Sequence, residues 1–343
     1  MSILFVTDAP GPDEQALGFP LVGVDGRLFQ RMLAAAGLLI GGQPPADWRP
    51  ELASLGLRGF LWARKEHRFA CVLDQPLPDN ITPTQRSNLI EDARPRLMAH
   101  LGEAPAIVVA LGSIALEAFV GPDYKINEAR GVVMRCQHIF PSTKLLPTLS
   151  PYAVRKEYRM FGPVVSDLAR AKAEATDPTH ILQARDVELT LEPSLSDMRL
   201  WWQRYGSTSE QLAVDIETAG NHMLTCIGFA ADEKHAICVP FVDWRKPGAS
   251  WWSSTAEELE AWSIVREWLN SPIPKCFHNG IYDTSWLWGL YGLPIRNWTD
   301  DTMLMHHVLY PELPKALEFL GAAYGNPPLP WKAFHRATAK REG

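Results

Sequence analysis

In residues 212–218, LAVDIET, the acids Asp215 and Glu217 stand two apart inside an otherwise apolar run. On a β-strand that spacing sends both carboxylates out of one face while Val214 and Ile216 point to the other. Two carboxylates on one face repel unless a cation lies between them. A hard divalent ion such as Mg²⁺ or Mn²⁺ suits them, because it prefers oxygen ligands and keeps some of its waters. The alternative is a solvated strand end, but the apolar surroundings favour a metal. A second polar gathering lies in KCFHNGIYDT, residues 275–284, where an apolar start leads into His278, Asn279, Tyr282 and Asp283. The pattern predicts a strand running into a helix, with polar groups at a junction where sites are often built.

The elements around these residues follow from periodicity. Residues 211–220, 224–233 and 235–244 are three strand-like runs with short turns, an antiparallel meander. Residues 255–258, TAEE, read as a capping box opening a helix to about 270, and further helices are expected over 283–291, 301–309 and 315–324. His306 and His307 fall mid-helix and read as packing or surface groups. Trp244, Trp251, Trp252, Trp262, Trp268, Trp286, Trp288 and Trp298 read mostly as core, with one or two able to stack on a base.

The first half alternates strand and helix. Residues 3–10 form a buried strand ending in a turn, 26–39 have helical apolar spacing, and 68–73 form a second strand. Thr82-Pro83-Thr84-Gln85 combines an N-cap, a proline at the first helical position and a capping-box glutamine, starting a helix that runs to about 101. Residues 104–112 are a buried strand stopping at a glycine, followed by a short helix to 121. Strands over 131–135 and 145–149 precede a final helix over 154–175, giving an α/β domain with a mainly parallel sheet. The periodicity fades between 176 and 197, where a linker is expected.

Composition bounds the partners. With 343 residues, 46% hydrophobic and 21% charged, the chain has room for about two globular domains. A net charge of −6 supplies no general attraction for nucleic acid, so any DNA contact must be local or metal-mediated. The five cysteines contain no CxxC pair, which favours reduced thiols and a cytoplasmic setting. No stretch has the length and apolarity of a membrane span or the basic start of a secretory signal.

DIET at 215–218, the meander, a helix and then HNGIYD at 278–283 together resemble the first two motifs of the DEDD-type 3′→5′ exonucleases found beside family A DNA polymerases. The segment from Asp301, DTMLMHHVLYPELPKALEFLGAAYG, resembles the region that follows them, especially in phage polymerases. The resemblance covers about residues 211–331. It implies an RNase H-like fold with a two-metal site of Mg²⁺ or Mn²⁺, Asp215, Glu217 and Asp283 as ligands and catalytic groups, and Thr218, Asn279 and Tyr282 at the substrate end. It also implies a single-stranded 3′ end as substrate and a DNA polymerase domain or subunit as partner. Two such ions would activate a water on one side of the terminal phosphodiester and stabilise the leaving oxygen on the other. The family's closing motif, Tyr-x-x-x-Asp or His-x-x-x-Asp, does not occur, since no aspartate follows Asp301 and the later acids are Glu312, Glu318 and Glu342. The expectation is a site completed by a longer polymerase or a second chain, or one that has lost its activity.

TDAPGPDEQALGFPLVGVDGRLF at 7–29 resembles the first motif of the iron–sulfur uracil-DNA glycosylases, GEAPG followed by an acid and G-x-P-x-V-G-x-x-G. IVVALGSIALEAFVG at 107–121 is similar to that family's central strand-loop-helix, and 146–172 to its C-terminal motif. The implied fold is a glycosylase-like α/β/α sandwich over 1–175, followed by the linker 176–197 and the exonuclease-like domain over 198–343. Asp8, Pro10, Gly11, Asp13, Gly23 and Ser150 are its expected pocket residues. Asp74 stands where a cluster cysteine would lie, so no iron–sulfur cluster is expected; Ser150 stands before Pro151 where the motif has a histidine; and Thr7-Asp8 replaces Gly-Glu. A pocket that holds DNA or a flipped base without cleaving it follows from those departures, with Asp8, Asp13 or Glu14 left as groups able to activate a water. Lys144, Arg155, Lys156 and Arg159 are expected to supply phosphate contacts. Two alternatives stay open, an inactive DNA- or polymerase-binding module and an active uracil-DNA glycosylase.

Overall fold

The computed structural model describes residues 2–38, 67–78, 80–177, 187–220, 223–243, 245–246 and 249–325. The chain divides into two compact units, one of Met1–Leu182 with Ala316–Gly343 and the other of Gln183–Lys315.

In the first unit the elements run β1 (Ile3–Thr7), α1 (Pro12–Leu17), α2 (Gly23–Ala35), β2 (Arg68–Cys71), α3 (Pro83–Leu101), β3 (Ile107–Leu111), α4 (Ser113–Val120), α5 (Ile126–Ala129), β4 (Met134–Arg135), β5 (Lys144–Thr148), α6 (Pro151–Lys156) and α7 (Phe161–Thr176). The sheet order is β2-β1-β3-β5-β4, parallel except for β4, which runs antiparallel to β5. β1, β3 and β5 are buried throughout, as expected of parallel strands covered on both faces. Leu4, Val6, Val108 and Ala110 share a core with Ile90 and Leu97 of α3 and Leu116 of α4. On the other face Phe5 meets Phe29 of α2 edge-on at 5.4 Å. Thr82 caps α3 in the expected capping box, accepting from Gln85 N while the Gln85 side chain reaches back.

The long helix expected over 154–175 is instead broken. α6 stops at Lys156, a 3₁₀ turn covers Tyr158–Met160, and α7 begins at Phe161. Pro163 explains the restart, because a proline lacks the N–H an inner turn needs and is tolerated only within the first turn.

In the second unit the elements run β6 (Glu188–Leu191), α8 (Leu195–Arg204), β7 (Leu212–Ala219), β8 (Met223–Ala230), β9 (His235–Pro240), α9 (Thr255–Leu269), β10 (Lys275–Phe277), α10 (Gly280–Thr284) continued by a π turn (Ser285–Leu290), β11 (Trp298–Asp301) and α11 (Thr302–Leu309). The sheet order is β11-β10-β7-β8-β9-β6. β7, β8 and β9 are the expected antiparallel meander, while β10 runs parallel to β7, β11 to β10 and β6 to β9. Val214, Ile216, Ile227 and Phe229 bury one face of the sheet in a core with Trp201 of α8 and Trp268 of α9. The fully buried Trp268 stacks on Trp202 at 5.4 Å and meets Phe229 edge-on at 5.2 Å.

Several expectations are corrected. The expected linker over 176–197 contains the edge strand β6 and the start of α8, and residues 178–186 of it lie outside the described residues. The cap of α9 is Ser254, one residue before the expected Thr255, and it accepts from Glu257 N at 3.3 Å. Trp252, Trp268 and Trp286 are buried, Trp251 and Trp262 pack against the core, Trp288 and Trp298 are exposed, and Trp244 lies outside the described residues. α12 (Leu317–Tyr324) groups with the first unit although it follows the second in sequence. There Phe319 lies 4.8 Å beneath the Arg130 guanidinium, and the Ala322 carbonyl accepts from Arg170 at 3.2 Å.

Candidate functional site

Alternation along β7 buries Leu212, Val214 and Ile216 and leaves Asp215 and Glu217 exposed on the opposite face, as their spacing predicted. Asp283, from α10, is buried at 3% exposure, and its Oδ1 accepts from the backbone N–H of Ile216 at 3.1 Å. Burial and then the nearby charge of Asp215 push the Asp283 carboxyl up to about 7. At the same edge Thr218 Oγ1 and the Tyr282 hydroxyl are hydrogen-bonded at 2.7 Å. Residues about sixty-five positions apart are thus joined by two bridges between β7 and α10.

Asp301 positions α10. It is buried at 6% exposure; its carboxylate accepts from the backbone N–H groups of Asn279 at 3.2 Å and Gly280 at 2.8 Å on one side. On the other it accepts from Met303 at 2.9 Å and Leu304 at 3.2 Å at the start of α11. Asn279 adopts a left-handed φ of 62° and is the N-cap of α10. Gly280 is required by close packing, since a Cβ there would come within 2.6 Å of Phe277 Cβ. His278 Nδ1 pairs with Thr302 Oγ1 at 2.8 Å, His306 is buried and His307 is exposed. Sequence reasoning placed Asp301 at a helix start and missed this anchoring; its Asp-Thr-x-x context before an apolar helix was the available signal.

Among the described residues no group of three or more His, Cys, Asp or Glu side chains is gathered as a metal site. The donor set nevertheless fits a hard cation in part. Mg²⁺ is commonly held by one or two carboxylates together with water and substrate phosphate. A divalent ion between Asp215 and Asp283 would relieve the repulsion that lifts the Asp283 carboxyl.

In the first unit a cavity of about 450 Å³ opens at the carboxyl ends of β1 and β5, lined by Asp8, Pro10, Gly11, Ser150 and, in addition, Glu14, Ile114 and Tyr152. Ligand crevices of parallel sheets lie at such ends. Of the expected pocket residues, Asp8, Pro10, Gly11 and Ser150 are therefore brought together. Asp13 instead lines an adjoining groove with Val24, Asp25 and Arg155, and Gly23 begins α2 against Asp13.

Three polar groups expected to act on a ligand have structural partners. Asp8 Oδ1 accepts from Ala115 N at 2.8 Å at the start of α4. Burial pushes the Asp8 carboxyl up to about 6 against the pull of those backbone N–H groups. Gly112 makes the approach possible, because at its φ of 119° a Cβ would lie 2.4 Å from Asp8 Oδ2. Glu14 spans the loop, accepting from Gly11 N at 2.5 Å and from Leu21 N, and burial raises its carboxyl. Ser150 caps α6 by accepting from Ala153 N at 3.3 Å.

The expected phosphate contacts divide. Arg155, Lys156 and Arg159 are exposed, whereas Lys144 is buried, donating to Glu174 at 2.6 Å and to the Asp177 carbonyl at 2.7 Å, and has no outward reach. Asp74 forms a surface ion pair with Arg96. No helix among the described residues is long and apolar enough to cross a membrane. No curated protein matches the sequence. Residues 1–169 match the Uracil DNA glycosylase superfamily, so the region that holds the first sheet and its cavity is glycosylase-like.

Proposed function

We propose that the chain is a two-part DNA-processing protein, in which the second unit removes nucleotides from a 3′ end and the first holds DNA without cutting it. The observation that carries the nuclease reading is the convergence of Asp215 and Asp283, with Asp283 buried against β7 and its carboxyl raised by that burial and then by its neighbour's charge. Carboxylates whose environment resists ionisation are a common feature of functional sites. The order β9-β8-β7-β10-β11, a meander extended by two parallel strands, supports an RNase H-like fold for this unit. Asp215, Glu217 and Asp283 would hold Mg²⁺ or Mn²⁺, which when bound supplies charge stabilisation and an activated water. Tyr282, fixed by Thr218, and Asn279 at the turn would orient the terminal nucleotide. A DNA polymerase domain or subunit is the partner we propose, and the cytoplasm the setting.

The nuclease is tested by incubating a 3′-labelled single strand with the full chain and Mn²⁺, beside Asp215→Ala. Shortening by the wild type alone is expected, and equal shortening by both proteins sinks the assignment.

A second reading, uracil excision, is favoured by the superfamily match and the cavity. Against it, Asp8 and Ser150 are engaged as helix caps. Abasic sites formed from uracil-containing DNA in EDTA would establish excision, and their absence is expected.

A further inference from the structure

α6 and the 3₁₀ turn after it present an exposed run of Tyr152, Arg155, Lys156, Tyr158 and Arg159. The two tyrosines are 55% and 54% exposed. Cations hold their rings. The Arg155 guanidinium lies 5.2 Å and Lys156 Nζ 5.5 Å from the Tyr152 ring centroid. Arg31 of α2 donates to the Tyr158 hydroxyl at 3.1 Å and lies 5.8 Å over Phe161, on which Tyr158 stacks at 5.5 Å.

α2 ties the two ends of this run together. At the cavity end Asp25 accepts from Arg155 at 2.6 Å, and at the far end Arg31 reaches Tyr158. Asp25 and Arg31 are separated by about 9 Å along the helix axis at 1.5 Å per residue, so α2 backs the run from its cavity end to its far end. Tyr152 also lines the cavity, which makes the run continuous with it. The Arg155–Asp25 and Arg159–Glu157 pairs are surface contacts that a phosphate can exchange.

Exposed aromatic rings interleaved with cations suit unpaired bases, whose faces are free to stack while the backbone is neutralised; a duplex keeps those faces hidden. The chain's net charge of −6 offers no general attraction, so affinity must come from such a local strip. Resting on the reading of the first unit as a DNA-holding module, we infer that this strip is a path for single-stranded DNA leading to the cavity. Tyr152 and Tyr158 stack bases along it, and Arg31, Lys156 and Arg159 take phosphates.

The test is fluorescence anisotropy with the full chain in EDTA, using a labelled oligothymidylate of about 20 nucleotides, longer than the roughly 4–16 nucleotides that single-strand sites cover, and a duplex of equal length. The single strand is expected to bind about tenfold more tightly than the duplex. Tyr158→Ala is expected to weaken single-strand binding about tenfold while Tyr158→Phe retains it, as base stacking requires. Lys156→Ala, at an exposed position that cannot unfold the chain, is expected to weaken binding and to flatten its salt dependence by about one counterion. Equal binding of duplex and single strand, or binding unchanged in Tyr158→Ala, Arg31→Ala and Lys156→Ala, overturns the strip alone. Failure of the wild type to bind either nucleic acid overturns the strip and the DNA-holding reading together.

Discussion

The Asp283 carboxyl accepts a hydrogen bond from the backbone N–H of Ile216 at 3.1 Å, and so lies against the strand that carries Asp215. Burial and then the charge of Asp215 push it up to about 7, above the 3.8 of a free aspartate, so between those values the folded chain binds more protons than the unfolded one. Stability from this group is therefore full below about pH 4 and is lost as pH rises toward 7. Asp283→Asn keeps an amide oxygen for Ile216 N and removes the charge. The variant is expected to gain on the order of 2 kcal/mol at pH 8 and little at pH 4, measured by urea unfolding. Mn²⁺ should raise the melting temperature of the wild type and not that of the variant. A variant no more stable at pH 8 than at pH 4, relative to wild type, would show that the carboxyl is not strained there.

Asp301 ties the turn before α10 to the start of α11 through four backbone N–H groups. Asp301→Asn turns one acceptor oxygen into a donor facing N–H groups, and the expected loss is about 2–3 kcal/mol in chemical denaturation. Any Mn²⁺-dependent activity should fall with it, because α10 carries Asp283. Undiminished activity in a folded Asp301→Asn chain would separate this anchor from the site.

Asp8, just past the end of β1, acts on α4 through the backbone N–H of Ala115, 107 residues later in sequence. Asp8→Ala is expected to destabilise the first unit by about 1–2 kcal/mol, as loss of a helix cap does, and Asp8→Asn to recover most of that. If both variants melt with the wild type, the carboxylate is free for another role.

What could be read from residues alone was mostly local. The two-residue spacing of Asp215 and Glu217 and the Thr82–Gln85 capping box each depend on a few neighbouring positions, and both stand in the structure as expected. The exposure of Arg155 and Lys156 was likewise visible in sequence. Lys144 was not, because its partners Glu174 and Asp177 lie some thirty residues away and its burial depends on them. β6 and β11 are four residues each at the edges of a sheet, too short to carry a period, and ELTL and WTDD become strands only by pairing with β9 and β10. The same limit applies to α12, whose apolar pattern says that it packs but not on what.

That partner is the buried ion pair of the first unit. Arg130 Nη1 donates to both Asp167 oxygens at 2.9 and 2.8 Å, Thr148 Oγ1 donates to Asp167 Oδ2 at 2.6 Å, and Phe319 of α12 covers the guanidinium. Removing one member leaves a buried charge without its partner, so Arg130→Ala is expected to cost about 3–5 kcal/mol. The double replacement Arg130→Met with Asp167→Leu should cost far less, since apolar groups of similar volume can occupy the site without a desolvation penalty. Phe319→Ala removes the cation–π contact and a buried ring, and about 3–5 kcal/mol is expected from both together. Urea unfolding followed by fluorescence reads all of these. The coupling between Phe319→Ala and Arg130→Met in a double-mutant cycle then decides the placement of α12: a coupling near zero would mean that the helix does not rest on the pair, whereas about 0.5–1 kcal/mol is expected if it does.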